Sequence, residues 1–357
     1  MKKQILRRAF GGFLAAAILA SLCLPALADN EADADALEQQ LIQELLDAGL
    51  DPDANPQQEN SWRYENGELI EEESAEEETG LQESDEWQLQ AENGISAFSL
   101  SGKIYGGIDV SHHQNQIDWN SLKGQIDYAI PRCGYGLNLQ KQDDRCWYEN
   151  ASACQRLGIP FGTYIYSYAT NTAMAKSEAE HALRLVQGYD LDYPIYLDIE
   201  DKTMQGLSAG ELAAIAKTFC DIIEQAGYTP GVYASRNWWR DKLTDPVFYN
   251  SGWSRWIAHW TTGLDYSRSG YDMWQFGTAY VNGRAFDGNQ GYIDPMTRGT
   301  GDINEDGSSD LRDVLLISTI LSGRMDTTNR QRRAADMDKN ASLNTSDTDV
   351  LVNRLLG

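Results

Sequence analysis

The stretch YPIYLDIED, residues 193–201, ends an apolar run on three acids. Side chains alternate faces along a strand, so Tyr196, Asp198 and Glu200 point one way and Ile195, Leu197 and Ile199 the other. One face packs against apolar neighbours, and the other carries chemistry or ions. On either side of it, YGGIDVS, DYAIPRCGYG, IPFGTYIYSYA, TPGVYAS, RWIAHW and DMWQFG also read as strands. Between them, ENASACQRLG, AMAKSEAEHALRLVQ and LSAGELAAIAKTFCDIIEQAG read as helices, each ended by Gly or a turn. This alternation implies an α/β fold with a parallel sheet, and so many strands favour a closed barrel over an open doubly wound sheet. Reactive groups of such barrels lie at the C-terminal ends of the strands, where Asp109, Asp198 and Glu200 fall.

The chain has 357 residues, more than one ordinary domain. Residues 1–28 pair a basic start with an apolar core and an Ala26-Leu27-Ala28 end, the pattern of a cleaved secretory signal. No other run is long enough to span a membrane, so no membrane association is expected after cleavage and the mature protein is read as extracellular. The net charge of −25 is concentrated: residues 29–100 hold 22 of the 54 Asp and Glu but one of the 29 Lys and Arg. The folded part is therefore only mildly acidic, and nucleic acid is excluded as an expected partner. Residues 29–102 read as an acidic, mostly disordered spacer. Within it, Leu37, Leu41, Ile42, Leu45 and Leu46 recur at helical spacing, read as a transient amphipathic helix in preference to a docking or propeptide helix. Cys133, Cys146, Cys154 and Cys220 match no zinc spacing, and at most one bridge is expected among those between 133 and 154.

After the barrel segment, residues 103–296, and a short linker, 297–300, the texture changes again. Residues 301–357 hold two Asp/Asn-rich loops, DINEDGSSDLRD and DMDKNASLNTSD, each leading into an apolar helix. Calcium needs hard oxygen ligands crowded on a tight loop. The loops supply them at positions 1, 3, 5, 9 and 12, as Asp302, Asn304, Asp306, Asp310 and Asp313, then Asp336, Asp338, Asn340, Asn344 and Asp347. Gly307 gives the first loop its sharp turn, whereas Ala341 stands there in the second, which is therefore expected to bind more weakly. The segment resembles a type I dockerin, a small all-α module of two loop-helix repeats with Asp at position 12. That resemblance implies two Ca2+ ions and a cohesin domain of a scaffold or cell-surface protein as partner. It places partner choice at Leu311, Arg312, Ser318 and Thr319 and at Thr345, Ser346, Val352 and Asn353, where the repeats differ.

Carboxylates at i and i+2 lie about 7 Å apart along one strand face. Crowded acids repel, which favours the protonated form of at least one. Cleavage of a glycosidic bond needs such an acid together with a carboxylate facing an oxocarbenium-like transition state. A metal site or a salt-bridged strand end are the competing readings of Asp-x-Glu. Tyr164, Tyr166, Tyr168, Tyr196, Tyr233, Trp260 and Trp274 sit at strands or strand ends and offer flat faces for sugar rings, though each taken singly reads as core before it reads as a ligand platform. His112 and His113 are candidates to orient Asp109, or structural.

The ordered motifs GIDVSHHQ, IDW, DYAIPRCGYG, FGTYIYSYA, YLDIE, GVYAS, WIAHW, WQF and FDGN resemble family 25 glycoside hydrolases, the Chalaropsis-type N-acetylmuramidases. The resemblance covers residues 103–296 and implies a (β/α)5(β)3 barrel that needs no cofactor and cuts the β-1,4 bond between N-acetylmuramic acid and N-acetylglucosamine in peptidoglycan. It makes Glu200 the general acid/base, Asp198 its partner, Asp109 the acid of the first strand and Asp287 the acid near the barrel's end. Asp198 is either a nucleophile or, in the preferred reading, orients the substrate's acetamido group. Tyr164, Tyr166, Tyr196, Tyr233, Trp260 and Trp274 become the expected substrate-binding set. Gly288 replaces a usual hydrophobic residue and is expected to loosen its loop. A glycosidase on another amino sugar polymer and a non-catalytic wall-binding adaptor are the alternatives.

Overall fold

Residues 105–291 hold eight strands that close into one barrel, the first five each followed by a helix and the last three following one another directly to the closing edge among the described residues. In a computed structural model, residues 31–53, 64–65, 68–69, 104–261, 264, 271–292, 299–304, 306, 308–325, 329–338 and 343–357 are described. The signal segment and most of the acidic spacer lie outside these residues.

The barrel strands are β1 (Tyr105–Val110), β2 (Tyr128–Tyr135), β3 (Thr163–Tyr166), β4 (Ile195–Asp198), β5 (Pro230–Ser235), β6 (Ser254–Ala258), β7 (Met273–Val281) and β8 (Arg284–Gly291). They run β8-β1-β2-β3-β4-β5-β6-β7 around a closed ring. β1 to β7 pair in parallel, while β8 is antiparallel to both its neighbours. Helices α2 (Trp119–Leu122), α3 (Trp147–Leu157), α4 (Thr172–Val186), α5 (Ala209–Gln225), then α6 (Arg236–Asp241) with α7 (Val247–Asn250), follow β1 to β5 in turn. Among the described residues no helix separates β6, β7 and β8, which gives the (β/α)5(β)3 architecture.

Local chemistry sets the helix ends. Asn171 caps α4 through Met174 N, Ser208 and Glu211 form a reciprocal capping box on α5, and Gly158 ends α3 at φ 68°. Two apolar layers result. Ile108, Ile165, Leu197 and Val232 face outward to the helices, packing on residues such as Trp147, Ala179 and Phe219. Tyr105, Tyr128, Tyr193, Tyr196, Tyr233 and Trp256 fill the interior. The rings fit because glycine stands opposite: a Cβ on Gly107 would lie 2.2 Å from the Tyr128 ring, and one on Gly231 2.4 Å from that of Tyr196.

β8 lies in a Gly- and Asn-rich stretch that the sequence pattern does not single out as a strand. It is held by pairing on both sides, continuous with β1 and interrupted by a bulge at Gly288/Asn289 on the β7 side, rather than by propensity. Gly288 does not loosen a loop: it sits within β8, and the space its side chain leaves is taken by the Phe276 ring, 2.5 Å from where a Cβ would stand.

Helix α1 (Glu31–Asp47) is docked rather than transient. Leu41 and Leu45 are buried against Leu137 and Leu139 in the loop after β2, and Glu38 Oε2 accepts from Gln140 N at 3.0 Å. The four cysteines beyond the signal segment are free thiols, three of them buried.

The C-terminal module consists of α8 (Leu311–Leu321), α9 (Asn329–Ala335) and α10 (Thr345–Leu356) around Ile303, Ile317, Ala335, Met337 and Leu351. Asp310 caps α8 and Asn344 caps α10, each in a capping box closed by Asp313 or Asp347.

Candidate active site and calcium loops

Parallel strands end together, so their last inward side chains converge on one rim. The register places Tyr166, Asp198 and Tyr233 in one row across β3, β4 and β5, and it sets Asp287 directly opposite Asp109 across β8 and β1. Glu200 lies two residues past the end of β4. A cleft of about 510 Å³, open mouth included, is lined by Asp109, Asp198, Glu200 and Asp287 together with Ser111, His113, Gln114, Arg132, Tyr164, Tyr166, Tyr233, Trp256 and Gln275. All four expected acids thus share one site, and Asp109, Asp198 and Glu200 are buried.

The aromatic residues divide. Tyr164, Tyr166 and Tyr233 line the cleft. Tyr196 shares the face of Asp198 but sits one layer deeper, fully buried, with its hydroxyl 3.0 Å from Ser254 Oγ. Trp274 lies outside the cleft because its neighbour Gln275 takes the inward position; it packs on Phe276 and Ala279 and donates Nε1–H to His259 O at 2.8 Å. Trp260 does not line the cleft but donates its indole N–H to Gln275 Oε1 at 3.1 Å.

Tyr166 donates its hydroxyl to Asp201 Oδ2 at 3.0 Å. Burial, reinforced by Glu200, Asp201 and Asp198, pushes its phenol well above the usual range, so it remains a proton donor at the cleft wall. On the other wall, buried Arg132 donates Nε–H to Asp144 Oδ2 at 2.9 Å, and the same oxygen accepts His112 N–H at 3.0 Å. Arg132 Nη2 also meets His112 Nδ1. Burial alone would raise the Asp144 carboxyl, yet Arg132 and the bonds from His112 and Cys146 hold it well below the carboxylate range. His112 therefore turns to Arg132 and Asp144, and His113 faces the cleft. Arg132, Gln275 and Asn289 stand inside motifs that the sequence displays, but nothing in their spacing marks them as site residues. Asp144 lies in an unremarkable polar loop, and only the packing reveals it.

In the two Asp/Asn-rich loops of the C-terminal module, the position-12 acids Asp313 and Asp347 are fully buried. Asp313 Oδ1 accepts from Ile303 N at 2.9 Å and Asn304 N at 3.1 Å, and its Oδ2 from Asp310 N at 2.9 Å. Asp347 repeats the pattern on Asp338 N and Asn344 N. Oxygens of Asp336, Asp338 and Asp347 lie within 4.8 Å of one another, a donor set that fits a hard cation. In the first loop, Asp306 and Asp310 pair with Arg312 at 2.8 and 2.7 Å. Gly307, Asn340 and Ala341 lie outside the described residues.

Residues 108–283 match the model of glycosyl hydrolases family 25, and residues 300–356 that of the dockerin type I domain. Asp287 and Asn289 fall just past the first match, on the strand that closes the barrel. The chain is 26% identical over 142 residues to an autolytic lysozyme of Clostridium acetobutylicum, covering 40% of this chain and 41% of that protein. It is 27% identical over 190 residues to lysozyme M1 of Streptomyces globisporus, covering 50% and 62%. The chain thus spans less than two thirds of either relative. Among solved structures, the modular autolysin LytC of Streptococcus pneumoniae is similar at 26% identity and a TM-score of 0.47, covering 53% of this chain and 47% of that one. With the barrel and the paired loops both accounted for, this chain carries a glycosyl hydrolases family 25 domain at residues 108–283 and a dockerin type I domain at residues 300–356.

Proposed function

We propose that the protein is a secreted muramidase that hydrolyses the β-1,4 bond between N-acetylmuramic acid and N-acetylglucosamine in peptidoglycan, attached to a cohesin-bearing partner by its calcium-loaded dockerin. The observation that carries this reading is the convergence of Asp109, Asp198, Glu200 and Asp287 on one aromatic-walled cleft at the strand ends.

In this reading Glu200 protonates the glycosidic oxygen and later takes a proton from water. Asp198, two residues before it on the same face, orients the substrate's acetamido group toward the anomeric carbon. Asp109 and Asp287 supply negative charge on the opposite wall as positive charge develops on the sugar. Tyr164, Tyr166 and Tyr233 border the sugar path. Asp302, Asn304, Asp306, Asp310 and Asp313, and their counterparts Asp336, Asp338, Asn340, Asn344 and Asp347, would hold two calcium ions; bound calcium supplies the charge that lets each acidic loop fold. The signal at residues 1–28 fits an extracellular setting, and among the described residues no helix is long and apolar enough to cross a membrane.

The test is mass spectrometry of peptidoglycan fragments released by the purified protein and reduced with borohydride, with Glu200→Gln as the control. Reduced muramic acid ends that are absent from the control are expected. Reduced glucosamine ends would move the cut to the other linkage, and binding without release would favour a wall-binding adaptor.

A further inference from the structure

Asp109 Oδ2 receives two side-chain hydrogen bonds, from Gln275 Nε2 at 2.9 Å and Asn289 Nδ2 at 2.7 Å. The two amides are Cα partners across β7 and β8, both turned inward beside the register pair Asp287–Asp109. An amide can present either its oxygen or its nitrogen, so what fixes each orientation matters. Asn289 Oδ1 accepts the indole N–H of Trp256 at 2.8 Å. Gln275 Oε1 accepts the indole N–H of Trp260 and the hydroxyl of Tyr233, both at 3.1 Å. An indole nitrogen only donates, so the far end of each amide is committed as an acceptor and the near end must donate to Asp109.

We propose that Gln275 and Asn289 are positioning residues that hold Asp109 as a carboxylate, and that Trp256 and Trp260 set their polarity. With two donors converging on Oδ2, that oxygen cannot carry a proton, and the anion is favoured over the acid. Asp109 is the fixed negative charge of the cleft, and the mobile proton belongs to another acid. Under the muramidase reading, on which this role rests, Asp109 stabilises positive charge on the sugar while Glu200 moves the proton. Trp256 also lines the cleft, so the ring that a sugar would meet is the one that orients Asn289.

Asn289→Asp and Gln275→Glu keep the shape and the acceptor for each indole but replace the donor with a like charge. Two readouts decide. In kcat/KM against pH for wall hydrolysis, the acidic limb should move upward by about one pH unit or more, because the carboxylate form of Asp109 loses a donor. At a pH below that limb, kcat should fall about tenfold with KM nearly unchanged. Independently of turnover, 13C-carboxyl NMR of aspartate-labelled protein, with Asp109→Asn to identify the resonance, should show the Asp109 midpoint moving to higher pH in both variants. Trp260→Phe, at a half-buried site that tolerates the smaller ring, should shift it in the same direction by less. An Asp109 midpoint unmoved in all three folded variants overturns the proposal. A midpoint that shifts in a protein releasing no wall fragments would sink the muramidase reading and leave this assignment standing.

Discussion

Two regions of this chain crowd carboxylates together, and they resolve the repulsion by different means. In the dockerin loops the deepest acids, Asp313 and Asp347, take main-chain N–H donors from their own loop, which turns charge into local structure. In the barrel, Asp109 is met by side-chain amides from strands far away in sequence, Gln275 and Asn289, each fixed by an aromatic donor. The loops are built from neighbours in sequence, and in the proposed reading a bound ion completes them. The cleft is built by the closed fold before any ligand arrives. Carboxylates alone therefore do not define a chemistry; the source of their donors does.

That contrast is tested hardest at Glu200. Glu200→Gln preserves shape and burial while removing the proton, so turnover should fall by about 10³-fold or more with the melting temperature within a few degrees of the parent. Residual activity within tenfold would remove Glu200 from the general-acid role. Asp198→Asn should cost about 10²-fold, and a mild effect would argue against its acetamide-orienting role.

Chelation separates the two regions. Without calcium the loops keep their crowded acids but lose the compensating charge, so EDTA should abolish capture of the dockerin by a cohesin and reduce helical circular dichroism by the share of α8 and α10. Hydrolysis of cell walls should be unchanged in the same sample. Loss of both would show that the barrel depends on the loops.

The same contrast explains what was legible in the sequence. The dockerin loops are local, so the module could be recognised from the spacing of their acids. Period-two alternation put Asp198 and Glu200 on one face, and strand-helix alternation gave the barrel. What the pattern could not give was depth: Tyr196 shares the face of Asp198 yet lies a layer below it, and Trp274 sits beside a cleft residue but points outward. β8 escaped notice because Gly288, Asn289 and Gly291 disfavour an isolated strand, and only pairing with β1 and β7 makes it one. The partners of Asp109 come from 166 and 180 residues away, a distance no local motif spans.

A further carboxyl within the barrel, Glu178, meets its burial in another way. It is fully buried on α4, accepting from Ser167 Oγ at 2.6 Å and Tyr168 N at 2.9 Å. Burial dominates those bonds and pushes its carboxyl up to about 8. The folded state therefore prefers the protonated form, and stability declines as pH rises from the unfolded value near 4.5 through about 8. Asp144, held low, acts in the opposite sense and only in acid. The melting temperature of the parent should fall between pH 5 and 8, and Glu178→Gln should flatten that decline. A slope unchanged by the substitution would mean that Glu178 is ionised in the fold.

The smallest effect concerns α1, whose docking the leucine spacing hinted at without deciding. Leu41 and Leu45 are 5% and 3% exposed, sealed by Leu137 and Leu139 in a loop that continues to Asp143 and Asp144. Replacing both leucines with alanine removes buried apolar surface worth about 2 kcal/mol or more, enough to release the helix without unfolding the barrel. Amide exchange across residues 137–144 should then quicken by roughly tenfold or more, since about 1.4 kcal/mol corresponds to a factor of ten. If α1 is only a brace, turnover on cell walls stays within about twofold, because the cleft acids stand on β1, β4, β8 and the turn just past β4 rather than on this loop. A rise in turnover would instead show that the helix restrains the active cleft, and unchanged exchange would show that the contact contributes nothing to holding the loop.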